Sequence, residues 1–278
     1  HYPLRRQRQM CIRDRSGVIA RQAKLIAQWL HIGFIHGVMN TDNMTISGET
    51  IDYGPCAFMD AYDPATVLSS IDHGGRYAYA NQPRMAQWNL ARLAEALLPL
   101  LAEQEEAALE IAQTALGAFA PAFEVAYFDG FARKIGIAAR APEDTTLIED
   151  LLRRMADNGA DFTLTFRAMA DAVEGNAAPA RAQFADPAAF DTWAEAWRAR
   201  LAREAEPARL LHASNPAFIP RNHLVEAAIR AAEDRDDFAP FQELLAVLAS
   251  PYEDQSGKAR YAEPPKPEER VLATFCGT

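Results

Sequence analysis

The sequence predicts a mainly α-helical protein with one short β-hairpin. Apolar residues recur about every 3.6 positions in nearly every segment after residue 83, which is the spacing of an amphipathic helix. Strand-like alternation is confined to residues 44–51, on either side of Ser47 and Gly48. The chain has 278 residues, of which 49% are hydrophobic, so it is long enough to bury a sizeable core.

The predicted helices begin at residues 16–32, where Val18, Ile26 and Leu30 fall on one face. A second helix covers residues 87–101, and we interpret its leucine stripe as core packing. Further helices are predicted over residues 103–119, 145–159, 161–173, 186–204, 215–233 and 238–250. Before them, glycines and prolines break any regular period in residues 55–83. We expect a long loop there, of the kind that is usually functional or disordered.

Capping signals delimit three of these helix ends. Gly159 follows the helix over residues 145–159 as a C-terminal cap, a position where glycine adopts the left-handed conformation. Asp161 and Asp186 stand where an N-cap side chain accepts hydrogen bonds from free backbone amides. Pro187 then takes the first helical position, where its missing N–H is harmless.

Composition excludes several classes of protein. The net charge of −10 is opposite to the clustered basic face that nucleic-acid binding needs, so no nucleic-acid partner is expected. No stretch approaches the roughly 20 apolar residues of a membrane span. The arginine-rich residues 1–15 also lack the apolar core of a secretory signal. We therefore expect no membrane partner and a cytoplasmic location, and the alanine- and arginine-rich composition indicates a bacterium with a GC-rich genome.

The three cysteines, Cys11, Cys56 and Cys276, are too few and too scattered to predict a disulfide framework or a zinc site. Free cysteine often behaves as a small buried hydrophobe, so ordinary thiols are the first interpretation. A redox bond between Cys56 and Cys276 is the alternative.

The stretch HGVMNTDNMTISGETIDYG, residues 36–54, gathers polar side chains around the predicted hairpin. Asn43 and Asp52 flank this hairpin, which turns the chain back on itself and brings two sequence-distant oxygen donors together. Magnesium prefers a few such oxygens from the protein and completes its coordination with water and substrate phosphates. The stretch therefore predicts a site for a hard divalent cation.

The same stretch repeats the spacing of a protein-kinase catalytic loop and metal-binding aspartate, with one departure. His36 and Asn43 are seven residues apart, and Asp52 precedes an aromatic residue and a glycine. However, Val38 stands where the kinase pattern H-R-D-x-x-x-x-N has the aspartate that accepts the substrate proton, and Gly37 replaces its arginine. Because ordinary phosphotransfer needs that aspartate, an acid–base role would have to shift to Asp42.

Several segments closely resemble selenoprotein O and its bacterial relatives, which are kinase-fold proteins long called pseudokinases. The resembling segments are residues 33–64, 75–83, 87–100, 215–216, 221–224 and 251–252. The resemblance implies a protein-kinase-like C-lobe with a short catalytic-loop hairpin and a C-terminal helical extension. It also implies protein adenylylation, in which ATP binds flipped relative to kinases and AMP passes to Ser, Thr or Tyr hydroxyls of proteins.

Residue by residue, the resemblance assigns Asn43 and Asp52 to Mg²⁺, with Mn²⁺ as an alternative ion, so that Asp52 would bind ATP through the metal. Asp42 matches the family's proposed catalytic base. His36 is a candidate supporting residue that braces the loop. Arg76 is either a second supporting residue near phosphate or substrate, or a surface residue. Asp60 and Asp63 are interpreted as solvated turn carboxylates, with support of the metal ligands as the alternative.

The resemblance further divides the chain into three regions. Residues 1–15 are expected to be a non-native or disordered head, residues 16–130 the kinase-like C-lobe with the metal-binding loop, and residues 131–278 a family-specific helical region packed on it. The terminal FCGT, containing Cys276, resembles the family's cysteine-containing end and suggests a redox role.

The resemblance covers only about the C-terminal half of a full family member. The phosphate loop, the strand lysine and the arginines that hold ATP would precede residue 1, so the chain alone is expected to be inactive. Two alternatives stay open: a kinase-like phosphotransferase, and a non-catalytic nucleotide-binding pseudokinase module.

Overall fold

The computed structural model describes the backbone of residues 2–275 and the side chains of residues 16–275. Within this range the protein is mainly helical, as predicted. The helices are α1 Tyr2–His31, α2 Gln82–Leu101, α3 Glu105–Gly117, α4 Phe119–Lys134, α5 Asp144–Asn158, α6 Phe162–Val173, α7 Ala178–Arg181, α8 Pro187–Leu201, α9 Pro207–Ser214, α10 Asn222–Arg235 and α11 Ala239–Leu248. No helix in the described range combines the length and apolar character needed to cross a bilayer.

A two-stranded antiparallel sheet closes the polar stretch at its base. Strand β1, Phe34–Ile35, pairs with β2, Ala57–Phe58, so that the chain returns beside its own starting point. The predicted hairpin within the stretch is confirmed as a single antiparallel bridge between Met44 and Thr50. Its turn contains Gly48 at φ 78°, the left-handed region that glycine adopts without strain. The polar stretch is therefore a loop that begins and ends at this sheet.

The predicted caps are all present. Gly159 ends α5 at φ 58°. The Asp161 carboxylate accepts a hydrogen bond from the backbone N–H of Leu164 at 2.8 Å. The Asp186 carboxylate accepts one from Ala188 N–H at 3.0 Å, at the start of α8. Each cap satisfies a backbone group that the helix end leaves free.

The starts of α1 and α10 differ most from the sequence prediction. Helix α1 starts at Tyr2, so the backbone of the basic head continues the helix instead of being irregular; arginine, glutamine and methionine favour helix even without an amphipathic period. Helix α10 starts at Asn222, because Pro216 and Pro220 interrupt the segment before it. Helices α4 and α9 were not individually predicted.

Helix α1 lies between two apolar clusters. Its residues Ile26 and Trp29 pack with α2 and β1, whereas Leu30 belongs to a larger cluster that also contains Phe131 and Phe162. This larger cluster includes residues on both sides of position 130, and α4 runs across that position. The division at residue 130 stays a prediction. Because α1 packs on both clusters, the polar stretch leaves from the end of a firmly held helix.

Lys134 is an unusual component of this core, with only 3% of its surface exposed. Its ammonium group donates a hydrogen bond to Asn215 Oδ1 at 2.7 Å and lies 4.2 Å from the centre of the Phe166 ring. In return, the Asn215 amide donates to the Lys134 carbonyl at 2.9 Å. No carboxylate in residues 16–275 pairs with it. Burial therefore lowers the pKa of Lys134 to about 7.

A second buried cation joins distant segments. Arg221 is fully buried and contacts Asp60 at 2.8 Å and Asp161 at 2.7 Å. This ion pair corrects our interpretation of Asp60, which is a partner of Arg221 rather than a solvated turn carboxylate. Asp63 does sit in a turn, where its carboxylate accepts from Ala65 N–H at 2.8 Å. The loop that follows the polar stretch is thus tied to α6 and α10.

Candidate functional site

The polar stretch has a buried arm and an exposed tip. Residues 33–39 are all buried, and His36 has no exposed surface. The tip begins at Asn40 and includes Asp42, and residues 51–54 on the return path are exposed as well. This contrast separates the residues that fix the loop from those that can meet a ligand.

Helix α2 fixes the buried arm with two amide side chains. Gln82 donates to the Phe34 carbonyl at 2.9 Å and accepts from His36 N–H at 3.0 Å, so it pairs with the backbone as another strand would. About two turns further on, Asn89 donates to the Met39 carbonyl at 2.9 Å. A buried backbone without such partners would cost roughly 1–3 kcal/mol per group. The arm therefore has one preferred path.

Helix α1 fixes the other side of the polar stretch. The Arg21 guanidinium donates twice to the Ile46 carbonyl, at 2.9 and 3.1 Å, and Trp29 Nε1 donates to Thr50 Oγ1 at 2.8 Å. The turn lies so close to the helix that a Cβ on Gly48 would stand 2.6 Å from Arg21 Cβ. Glycine is needed there for space as well as for its positive φ.

His36 connects the two arms of the loop. Its Nε2–H donates to the Ile51 carbonyl at 2.8 Å, and the Val38 N–H points at Nδ1 at 3.4 Å. Burial lowers the pKa of His36, an effect that the hydrogen bond to Ile51 and the charge of Asp52 oppose in part. Both ring nitrogens therefore face backbone groups, and the ring holds the residue immediately before Asp52.

Asn43 has a defined amide orientation. It closes a single 3-10 turn over Thr41–Asn43. Its Nδ2 donates to the Val38 carbonyl at 3.0 Å, which leaves Oδ1 on the opposite side of the amide. Asn43 also immediately precedes Met44, the first residue of the hairpin bridge. Within residues 16–275 no group donates to this Oδ1, which is thus presented from the base of the hairpin.

Asp52 is held in a left-handed conformation, at φ 55°. Aspartate tolerates this region better than most residues, but the conformation is sparsely populated and clusters at functional sites. The residue is exposed, and its carboxylate has no hydrogen-bond or ion-pair partner within residues 16–275. It lies two residues beyond Thr50, so it emerges from the same end of the hairpin as Asn43.

Asp52 also influences its neighbour Cys56. Burial, together with the Asp52 charge, raises the pKa of the Cys56 thiol to about 11. The half-buried thiol is therefore protonated near neutral pH, and nothing activates it as a nucleophile. Cys276, the other candidate for a redox bond, lies outside the described residues.

Asp42 occupies the middle of the Thr41–Asn43 turn and is exposed. Its carboxylate has no partner among the described side chains, so it is available to a ligand. Val38, by contrast, is 7% exposed and belongs to the buried arm. The carboxylate nearest to Asn43 along the chain is thus on the exposed tip.

Arg76 lies beside the tip because its neighbour Tyr77 forms a hydrogen bond with the tip. The Tyr77 hydroxyl donates to Asn40 Oδ1 at 2.6 Å, which ties residues 72–77 to the loop. The Arg76 guanidinium stacks 4.8 Å from the centre of the Trp88 ring, and in residues 16–275 no carboxylate pairs with it. Its cation is therefore exposed next to the loop, with an aromatic surface beneath it.

The donor set fits a hard divalent cation that shares its coordination with a substrate. Asn43 offers an amide oxygen and Asp52 a carboxylate, and both are oxygen donors of the type that Mg²⁺ or Mn²⁺ accepts. Among the described side chains, no group of three His, Cys, Asp or Glu residues could enclose a metal ion. A cation here would therefore need further oxygens, such as those of phosphates or water.

Sequence reasoning missed the residues that position this site. Gln82, Asn89 and Gln22 are polar side chains on the apolar faces of α2 and α1. A polar residue within an apolar stripe was the available signal, since burial requires it to find a hydrogen-bond partner. For Gln22 that partner is the Thr45 carbonyl, at 2.5 Å.

Comparison with known proteins shows the family to which the chain belongs. The family described as protein adenylyltransferase SelO matches residues 1–249. The chain is similar to proteins named protein nucleotidyltransferase YdiU, with 62% identity over 268 residues to that of Bradyrhizobium diazoefficiens, 58% over 269 residues to that of Rhodopseudomonas palustris and 60% over 275 residues to that of Methylorubrum extorquens. Each match covers 95% of this chain and 55% of the relative, so the chain spans about half their length. The family match covers most of the chain, and the chain therefore belongs to the SelO family of protein adenylyltransferases.

Proposed function

We propose that this chain forms the kinase-like C-lobe of a protein adenylyltransferase, which transfers AMP from ATP to Ser, Thr or Tyr hydroxyls of proteins. Asn43 and Asp52 would hold Mg²⁺ or Mn²⁺, and through it the nucleotide. Asp42 would act as the base. The supporting roles fall to His36, which braces the loop, and to Arg76, whose exposed cation lies beside the tip.

One observation supports this proposal above all. The Asn43 amide donates its N–H to the Val38 carbonyl, so its oxygen is free, and the loop is closed by the bridge between Met44 and Thr50. Asp52 follows that bridge in a left-handed conformation with an unpartnered carboxylate. Two oxygen donors held without partners at one end of a hairpin are an arrangement suited to a shared cation.

The protein's own groups would act mainly by positioning. A divalent cation, when bound, offsets the negative charge of the phosphates and of the departing pyrophosphate. The acceptor hydroxyl oxygen forms a bond to the α-phosphorus, and the bond from this phosphorus to pyrophosphate breaks. Asp42 accepts the hydroxyl proton, which requires hydrogen-bond reach to the acceptor. The exposed position of Asp42 is compatible with an incoming protein hydroxyl.

The kinase-like alternative is less well supported, because Val38 occupies the place of the kinase base. An aliphatic side chain cannot accept a proton, and Val38 is 7% exposed within the buried arm. Asp42 is displaced along the loop by four residues. A base in a different place is consistent with attack on a different phosphate.

A test separates the two transfer reactions. The full-length protein that contains this chain is incubated with an acceptor protein and with ATP labelled either at the α- or at the γ-phosphate. Adenylylation predicts label on protein from the α-position only. Label from the γ-position only would contradict the proposal and support a phosphotransferase.

The chain alone is predicted to show negligible transfer. It spans 55% of the length of its relatives, and catalysis by positioning fails when part of the nucleotide clamp is absent. The same labelled-ATP assay, with residues 1–278 and the full-length protein compared at equal concentration, measures this. Transfer at comparable rates would refute the expectation.

A further inference from the structure

A groove lies between α10 and the segment that follows Asp52 in the chain. We call it the α10 groove: it is lined by Gly54 and Cys56, by Val225 and Ile229 of α10, and by four residues of the C-terminal segment, Val271, Ala273, Thr274 and Phe275. Its volume is about 470 Å³. Asn222 fixes its floor, since its amide exchanges two hydrogen bonds with the Phe58 backbone, at 2.7 and 3.0 Å. The groove is therefore preformed.

The C-terminal segment presents an open main-chain edge to this groove. Thr274 pairs with residues 68–70 in parallel fashion, donating to the Leu68 carbonyl and accepting from Ser70 N–H at 2.9 Å. The Thr274 hydroxyl also donates to the Pro55 carbonyl at 2.5 Å. In an extended chain, neighbouring residues point their backbone groups to opposite sides. The N–H and C=O groups of Ala273 therefore face away from residues 68–70, and neither has a hydrogen-bond partner within residues 2–275.

An apolar recess continues the groove between α10 and α11. Its volume is about 410 Å³, and it is lined almost entirely by carbon. Several large side chains there are unusually exposed for apolar residues: Ile229 at 45%, Phe238 and Phe241 each at 52%, and Leu245 at 59%. Contiguous exposed apolar surface of this kind marks an interaction site.

The charge of the groove rim limits the class of ligand that can bind in the α10 groove. The polar rim of the α10 groove consists of Glu226, Arg230 and Glu233, and Arg230 pairs with Glu226 at 2.8 Å. The contact of Arg230 with Glu233 is longer, at 3.9 Å. The rim thus carries a net negative charge, which disfavours a phosphate group or an anionic lipid surface. An open strand edge, an apolar recess and an acidic rim together suit an extended polypeptide with apolar and basic side chains.

We propose that the α10 groove binds the segment of the protein substrate that carries the acceptor hydroxyl, as a strand added alongside residues 271–275 with an apolar side chain in the recess. This inference rests on the proposed function. The groove begins at Gly54, two residues after Asp52, and the Asp52 charge acts on the Cys56 thiol in its wall. A segment lying in it would contact Gly54 and Cys56, close in the chain to Asp52.

The test uses the full-length protein and a fluorescent peptide of alternating valine and threonine between lysine caps. Saturable binding is expected by fluorescence anisotropy. Methylation of alternate backbone nitrogens in the peptide should weaken binding by about tenfold or more, because a methylated amide cannot donate to a strand edge. Phe241→Asp should have a similar effect. The matched control is Leu100→Asp, since Leu100 is 51% exposed on α2, outside the groove.

Catalytic measurements separate this inference from the proposed function. With α-labelled ATP and the same peptide, Phe241→Asp should raise KM for the peptide and leave kcat unchanged. If the unmodified protein bound the methylated and unmethylated peptides equally well, the proposal that the groove binds the substrate would be overturned. The same would follow if Phe241→Asp transferred label with an unchanged KM for the peptide. If methylation and Phe241→Asp both weakened peptide binding but no acceptor became labelled, the proposed function would be overturned, and peptide binding in the α10 groove would still be supported.

Discussion

Replacing Lys134 by methionine should abolish a specific pH dependence of stability. The lysine is buried at the end of α4, with one amide oxygen and aromatic rings around its ammonium group and no carboxylate among the described residues. Burial lowers its pKa from 10.5 to about 7. Methionine keeps an unbranched apolar side chain of similar length and removes the titrating group.

The direction of this pH dependence follows from the number of protons bound by the folded and the unfolded protein. Between pH 7 and 10.5 the unfolded chain keeps a proton on Lys134 that the folded protein has released, so stability rises with pH across that window. Below pH 7 both states are protonated, and the cost of burying the charge is constant. Each pH unit within the window is worth about 1.4 kcal/mol. From pH 7 to pH 9, Lys134 should therefore contribute an increase of about 2–3 kcal/mol.

Urea unfolding followed by circular dichroism at pH 7, 8 and 9 measures this increase. Cys56 and the buried tyrosines, whose raised pKa values act in the opposite direction as the pH rises, are present in both proteins, so their effect cancels from the difference. The difference between the unmodified protein and Lys134→Met should grow by about 2–3 kcal/mol over the interval. Lys24→Met, at an exposed position on α1, should parallel the unmodified protein. Parallel curves for Lys134→Met as well would refute the assignment of a neutral lysine to this core.

Two further predictions concern the elements that carry the loop. Burial lowers the pKa of His31 to about 4. As the pH falls, the unfolded chain therefore gains a proton before the folded protein does, and the free energy of unfolding should fall by about 3 kcal/mol between pH 6.5 and 4. Urea titrations should show a smaller fall in His31→Gln, and equal falls in the two proteins would contradict the assignment of this pH dependence to His31. Gly48→Ala places a Cβ 2.6 Å from Arg21 at positive φ and should cost about 1–2 kcal/mol or more. Gly74→Ala, where a Cβ meets nothing within 4 Å, should cost less, and thermal melts of the two variants compare them.

The sequence predicted best those elements whose pattern is local. Helix α5 and helix α8 have apolar stripes and capping residues within a few positions, and their ends lie close to the predicted ones. Helix α4 was not predicted, although Phe123, Tyr127 and Phe131 recur every four positions and their rings contact one another along one face of the helix. The hairpin was visible from Gly48, although it is only one bridge long.

The contacts that position the site could not be predicted, because they join residues that are far apart in sequence. Asp60 looked like a turn carboxylate, and its partner Arg221 lies 161 residues away. Asn40 is held by Tyr77, from the loop that the sequence left unstructured. Asp42, Asn43 and Asp52 stay predictions from the sequence: Asn43 and Asp52 follow a known spacing within one stretch, and Asp42 is the carboxylate beside Asn43.

The buried arm and the exposed tip show which contacts support this loop, which is rich in polar residues. Hydrogen bonds from α1 and α2 satisfy its backbone, so the side chains of Asp42 and Asp52 are not needed to stabilise it. Substitution of these two carboxylates is therefore expected to leave the fold intact, which makes them suitable for functional tests.

Metal-dependent nucleotide binding by Asp52→Asn tests the central claim most directly. The full-length protein is titrated with a non-hydrolysable ATP analogue in the presence of Mn²⁺, by calorimetry and by electron paramagnetic resonance of the ion. Asp52→Asn should weaken Mn²⁺-dependent nucleotide binding by about tenfold or more, whereas Glu49→Gln, an exposed change on the same hairpin, should leave it unchanged. Unchanged binding in Asp52→Asn would contradict the metal site and favour a non-catalytic nucleotide-binding module.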